Sequence, residues 1–213
     1  MKHVLAIFFA AAVGWNYTAS AAEERYQEGT HYDVIVPAQP TSAGPGEVEV
    51  VEFFWYGCPH CFAFEPFVEG WLENKPDNIK FLRIPGILNP SWQAHARAFY
   101  TAEALGVFDQ VHKPLFAAIH TDRRQIFSEN ELADFFNEAA GVSEEDFKKT
   151  FNSFAVTTKL QRADVLARRF RLMGVPAVVV NGKYKVNASA AGSYQGILDI
   201  ARFLANKESS AQN

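Results

Sequence analysis

Val48-Glu49-Val50-Val51-Glu52-Phe53-Phe54-Trp55-Tyr56-Gly57-Cys58-Pro59-His60-Cys61 decides how the rest of this chain is read. Its first nine residues are rich in β-branched and aromatic side chains on both faces, as in a central strand covered on two sides. Gly57 ends that run, and Pro59 suits the first turn of a helix, where its missing N–H would have no partner anyway. Cys58 then sits at a helix N-terminus, whose free N–H groups and dipole favour a thiolate. Two thiols separated by two residues at such a junction can close a small, reversible disulfide.

The chain is 213 residues long, and these are its only two cysteines. With 19 Phe, 7 Tyr and 4 Trp it has ample material for a core and needs no stapling disulfide. Structural disulfides usually close longer loops, where the gain in chain entropy is larger. A zinc site needs about four ligands, and there is no second CxxC and no close histidine pair. No metal is therefore expected. The formal net charge of −4 argues against a nucleic-acid surface.

Working outward, Lys2 and His3 precede an apolar stretch, Val4 to Val13, and Ala19-Ser20-Ala21 has the small-x-small pattern of a signal-peptidase site. The stretch is shorter than the roughly 17–25 residues a bilayer span requires. Residues 1–21 are read as a cleaved secretory signal. Residues 22–45 form an extended lead-in, with a short edge strand at Tyr32–Val36. The CxxC helix runs from Cys58 to about Asn74, kinked at Pro66, and Ile79–Ile84 is a second buried strand.

From Asn89 to about Gly174 the pattern is helical, with an interruption near Pro114. Ser128-x-x-Glu131 forms a capping box, and a long helix is expected over Thr157–Met173. Val178–Val180 and Lys183–Val186 flank Asn181-Gly182, a type I′ hairpin signal. Ser193 caps a final helix, Tyr194–Ala205, and the tail after Lys207 is expected to fray. The order is that of an α/β domain with a mixed central sheet, interrupted by an all-helical insertion. The expected division is residues 22–87 and 164–213 for the sheet domain and 88–163 for the insertion.

The stretch Val51–Cys61, with Gly174-Val175-Pro176-Ala177 and Asn181-Gly182-Lys183-Tyr184 far downstream, closely resembles the bacterial DsbA family of thiol:disulfide oxidoreductases. The resemblance covers nearly the whole chain after the signal. It implies a thioredoxin-like fold and a periplasmic enzyme that donates its Cys58–Cys61 disulfide to newly exported proteins, with no cofactor beyond that pair. It also implies a membrane quinone-linked reoxidant of the DsbB type, and the chain is expected to act as a monomer. Cys58 would be the exposed, attacked sulfur and Cys61 the buried resolving one. Pro59 and His60 would tune the pair, His60 by donating a hydrogen bond or a positive charge to the Cys58 sulfur.

Val175-Pro176 would be a cis bond beside the CxxC, with the Val175 backbone open to pair with an extended substrate. Read locally, Gly-Val-Pro after a helix is a simple helix stop. Glu52 shares strand parity with Val48, Val50 and Phe54, which points its carboxylate into a covered layer. On an edge strand it would reach water instead, and the local pattern does not choose. The resemblance implies an acid beneath the buried cysteine that can relay its proton, with Arg83 where relatives often carry lysine. His31, His95, His112 and His120 are read as structural, Arg168, Arg169 and Arg171 as a solvated face, and Asn187-Ala188-Ser189 as an unused glycosylation acceptor. An isomerase or reductase on the same fold, or a non-catalytic binding module, are the competing readings. Neither a dimerisation domain nor a membrane anchor is visible to support the first pair, and two intact thiols argue against the last.

Overall fold

A computed structural model describes residues 25–212; the expected signal segment lies outside them. Five strands form one sheet in the order β1 (Tyr32–Val34), β5 (Tyr184–Val186), β4 (Ala177–Val180), β2 (Val48–Phe54) and β3 (Ile79–Pro85). β2 and β3 are parallel, and every other pairing is antiparallel. The sheet is therefore mixed, with β2 near its centre and buried along its whole length. The hairpin between β4 and β5 turns through Asn181 and Gly182 at φ 51° and 61°, the double positive φ of a type I′ turn.

Parity along β2 divides the interior. Val48 and Val50 pack against α1 (Pro59–Glu73) and α7 (Tyr194–Gln212), whereas Val51 and Phe53 face the opposite way. Phe54 and Tyr56 enter a third core made by helices α2 (Gln93–Leu105), α3 (Phe108–His120), α4 (Glu129–Ala140) and α5 (Glu144–Phe151). The capping box at Ser128 and Glu131 is present.

α6 (Phe154–Arg169) joins two of these cores. Val156, Leu160 and Ala163 belong to the helical block, whereas Ala167 packs under Val51 and Phe53. The expected boundary between residues 163 and 164 thus marks a change of core within one continuous helix.

Four expectations are corrected. The long helix starts at Phe154, because the Ser153 side chain accepts the Val156 N–H, and it ends before Arg171 at φ 49°. α3 continues through Pro114; one ladder bond is forgone while Val111, Leu115, Phe116 and Ala118 are buried. β1 stops at Val34, short of Val36. The tail does not fray after Lys207: α7 extends to Gln212, because the Glu208 carboxylate accepts from Asn181, Lys183 and Tyr184 at 2.7–2.9 Å. Glu208→Ala leaves the buried Tyr184 hydroxyl without its acceptor and should lower stability by about 1–3 kcal/mol. A reduced urea midpoint with an unchanged Cys58 thiolate titration is the expected result.

Candidate active site

The end of β2 delivers the CxxC turn. Cys58 is the N-cap of α1 in extended conformation (φ −93°, ψ 115°), and Pro59 opens the helix. The Cys61 main-chain N–H lies 3.4 Å from the Cys58 Sγ and donates to it. This is the ordinary N-cap interaction with a sulfur in place of an oxygen. Both cysteines are free thiols. Cys61 is wholly buried, and Cys58 retains only 8 % of its surface. The expected exposed sulfur is thus a nearly covered one, because the Val175 carbonyl sits 3.4 Å above it and accepts from the thiol.

The two sulfurs are electrostatically unlike. The Cys61 thiol hydrogen bond is the largest influence holding Cys58 down, from its ordinary 9.0 to about 6; burial opposes it, and the Cys61 and His60 main-chain N–H groups and the His60 charge assist. Burial pushes Cys61 far upward, reinforced by its role as donor to Cys58 and by the neighbouring Cys58 and Glu52 charges. One thiol ionises readily and its partner keeps its proton.

His60 contributes less directly than expected. Its ring Nδ1 is 3.1 Å from the Tyr194 hydroxyl at the start of α7, so its effect on Cys58 passes through its main-chain N–H and its charge. Val175-Pro176 is cis, as the resemblance implied. Beside it a groove of about 940 Å³ runs past His60, Phe67, Met173 and Tyr194. Met173 is 94 % exposed there, which leaves an apolar lip on the protein surface.

Glu52 is fully buried between its register partners Arg83 on β3 and Val178 on β4. The covered-layer reading of its parity is the correct one. The Arg83 Nε is 3.4 Å from Glu52 Oε2, near enough for an ion pair, yet neither Glu52 oxygen receives a hydrogen bond. Arg83 instead forks onto Glu65, with Nε–Oε1 at 3.3 Å and Nη2–Oε2 at 3.0 Å. Burial, with the nearby Glu65 charge, raises Glu52 well above the usual carboxylate range despite Arg83. Glu65 is also pushed up by burial, but His112 and Arg83 outweigh this and hold it below its ordinary value.

The network continues to His112, read from the sequence as structural, and through it to Tyr56. His112 Nε2 is 3.0 Å from Glu65 Oε1, and its Nδ1 is 2.8 Å from the Tyr56 hydroxyl. Glu65 follows Cys61 by four residues on the same helix face, and that spacing was an available signal. Of the remaining histidines, His120 bonds the Tyr56 carbonyl, His95 bonds the Ile126 carbonyl and His31 accepts from the Gln27 N–H. Among the described residues there is no cluster of three or more metal-ligating side chains, and no helix long and apolar enough to cross a membrane.

This arrangement has known counterparts. Residues 78–196 match the model of the DSBA-like thioredoxin domain. The thiol:disulfide interchange protein DsbA of Pseudomonas syringae pv. tomato is 38 % identical over 98 % of this chain and 96 % of its own length. The chain belongs to the DsbA family. A second member, from Pseudomonas aeruginosa PAO1, is 40 % identical over 90 % of both chains. The crystal structure of P. aeruginosa DsbA superposes with a TM-score of 0.81 over 87 % of this chain and 96 % of that one, at 40 % identity. DsbA from Xylella fastidiosa gives 0.81 at 32 % identity, over 87 % and 98 %. The thioredoxin-like architecture expected of a DsbA relative is therefore established.

Two outcomes follow for the thiolate. Cys61→Ala should raise the Cys58 midpoint further above 6 than His60→Ala does, as read by ultraviolet thiolate absorbance, since Cys61 supplies the largest stabilisation. The folded Cys58 value lies below the unfolded one, so ionisation favours the folded, reduced protein. That stabilisation is complete above pH 9.0 and vanishes as pH falls through about 6. The stability difference between the reduced protein and Cys58→Ser should therefore grow across this window.

Proposed function

We propose that this chain is a periplasmic thiol:disulfide oxidoreductase that donates a Cys58–Cys61 disulfide to reduced, newly exported proteins. The observation that carries the reading is the asymmetry of its two sulfurs within one turn of helix: Cys58 drawn down to about 6 and Cys61 driven far up. A substrate thiolate attacks the Cys58 Sγ of the oxidised protein, the Cys58–Cys61 bond breaks and the electron pair leaves on Cys61. Cys61 takes a proton, for which the buried Glu52 carboxyl is the nearby acid. A second substrate thiolate attacks the substrate sulfur of the mixed disulfide, forming the product disulfide and releasing Cys58 as a thiolate. A low-pKa leaving thiol departs faster, and each unit of depression is worth about 1.4 kcal/mol of driving force.

Val175 and Pro176 form the substrate-binding element of the proposal. In the dithiol state the Val175 carbonyl accepts from the Cys58 thiol. In the disulfide and thiolate states no such proton exists, and the carbonyl is available to a substrate main-chain N–H. Pairing through backbone requires no particular sequence, and the apolar groove supports capture of unfolded segments. Export is supported by the apolar segment at Val4–Val13 and the small-residue site after it. Reoxidation by a quinone-linked DsbB-type membrane protein is what family membership implies. The reaction requires no cofactor beyond the cysteine pair.

Equilibration with glutathione buffers and oxidation of a reduced peptide test the reading. Cys58→Ser should abolish oxidation, and Cys61→Ser should accumulate mixed disulfides through Cys58. The reduced protein should melt above the oxidised one, by about 2–4 °C for each kcal/mol of thiolate stabilisation in a chain of this size. A higher melting point for the oxidised form would point to a reductant instead.

A further inference from the structure

The cluster behind Cys61 contains two buried carboxylates and one arginine that lies against both. Arg83 forks onto Glu65, yet only its Nε approaches Glu52, without a hydrogen bond. Two acids around one cation hold one proton less than their number, and something must decide which acid stays protonated. The strands do not decide it, since Glu52 and Arg83 are register partners and ideally placed to pair.

The asymmetry comes from α3. With Glu65 the carboxylate partner of Arg83, its Oε1 accepts, so the His112 Nε2 carries a hydrogen and donates. The neutral ring then has a lone pair on Nδ1, and the Tyr56 hydroxyl donates to it. Both ring nitrogens are thus committed. Phe108 stacks on the ring at 4.6 Å, and Phe54 and Phe116 meet it edge-on at 5.4 Å, so it has no freedom to turn. We propose that His112 is a positioning residue for the disulfide exchange: clamped by Tyr56, it holds Glu65 as the carboxylate partner of Arg83 and leaves the proton of the acid pair on Glu52, under Cys61.

The proposal rests on the reading of Glu52 as the proton donor to Cys61. In that step the disulfide bond breaks onto Cys61, the Glu52 O–H gives its proton to the Cys61 thiolate, and Glu52 is left as a carboxylate. A carboxylate at Glu65 cannot serve, because it has no proton to give while Arg83 and His112 hold it ionised. The other charged groups around the ring are Glu69 on α1, Glu103 on α2 near Tyr56, and Asp109 and Lys113 on α3, of which Lys113 pairs with Glu69. A surface cleft of about 350 Å³ lined by Glu69, Arg83, Asp109, His112 and Lys113 gives solvent protons access to the far end of the network.

The test is the infrared carbonyl band of protonated carboxyl groups in the reduced full-length protein, assigned by its loss in Glu52→Gln and titrated with pH. His112→Phe removes the donor to Glu65. The Glu52 band should then titrate at lower pH, by roughly the tenfold to hundredfold change in proton affinity that one charge-assisted hydrogen bond supplies. A Glu65 band, absent in Glu65→Gln, should appear in its place. His112→Gln, which keeps an N–H donor, should restore the parent titration. Tyr56→Phe deletes one oxygen and should shift the Glu52 band in the same direction as His112→Phe, which keeps the proposal testable if the phenylalanine variant fails to fold. Unchanged Glu52 titration in folded His112→Phe or Tyr56→Phe overturns the proposal. Peptide oxidation by the parent protein is measured alongside, so that loss of the oxidase reading is seen separately from loss of this one.

Discussion

The active site is built on the first turn of α1, where the Cys61 N–H donates to the Cys58 sulfur and the Cys61 thiol adds the larger share of the thiolate's stabilisation. A helix leaves its first N–H groups without partners, and here the residue that satisfies one of them is also the reacting atom. Stability of the first turn and part of the thiol's acidity therefore come from the same interaction. The bond exists only while Cys58 stays in extended backbone at the end of β2 and α1 starts at Pro59. The buried strand that carries them holds both conditions.

Beneath that turn the protein keeps charges largely shielded from water. A lone buried carboxyl is costly to ionise, and a buried guanidinium cannot escape the cost by losing its proton. Arg83 with Glu65 balances one charge against another, and the remaining acid stays neutral as Glu52. The helical block participates in this balance through His112 and Tyr56, so the block is part of the electrostatic environment of the cysteines and more than a lid upon them.

Much of this was legible in the sequence because it rests on local chemistry. The apolar run to Tyr56, the proline after Cys58, the Asn181-Gly182 turn and the Ser128–Glu131 box each state their geometry within a few residues. The alternation of Val48, Val50, Glu52 and Phe54 allowed a buried Glu52 but did not choose it over an edge-strand position, which the pairing of β2 with both β3 and β4 settles. What escaped depends on segments far apart in the chain. His112 sits on an ordinary helical stripe with Val111, Leu115 and Phe116, and nothing nearby says that Glu65 lies opposite. His60 was expected to face the thiolate, but Tyr194, 134 residues away, claims its ring. The helix extension past Lys207 was hidden for the same reason, since the Glu208 partners lie on the hairpin.

The passage of α6 through two cores bears on how such a protein can be taken apart or recombined. A cassette that could be lifted from one scaffold to another needs flexible joints at both ends. The helical block has a loop at its entrance near Leu88, but its exit is the interior of a helix whose first half packs with Leu132 and Phe147 in one core and whose last turns lie under Phe53 in another. Grafting the block onto a different thioredoxin-like sheet would require carrying all of α6 and the surface beneath Ala167 with it. Sheet and block are, in that sense, a single inherited unit.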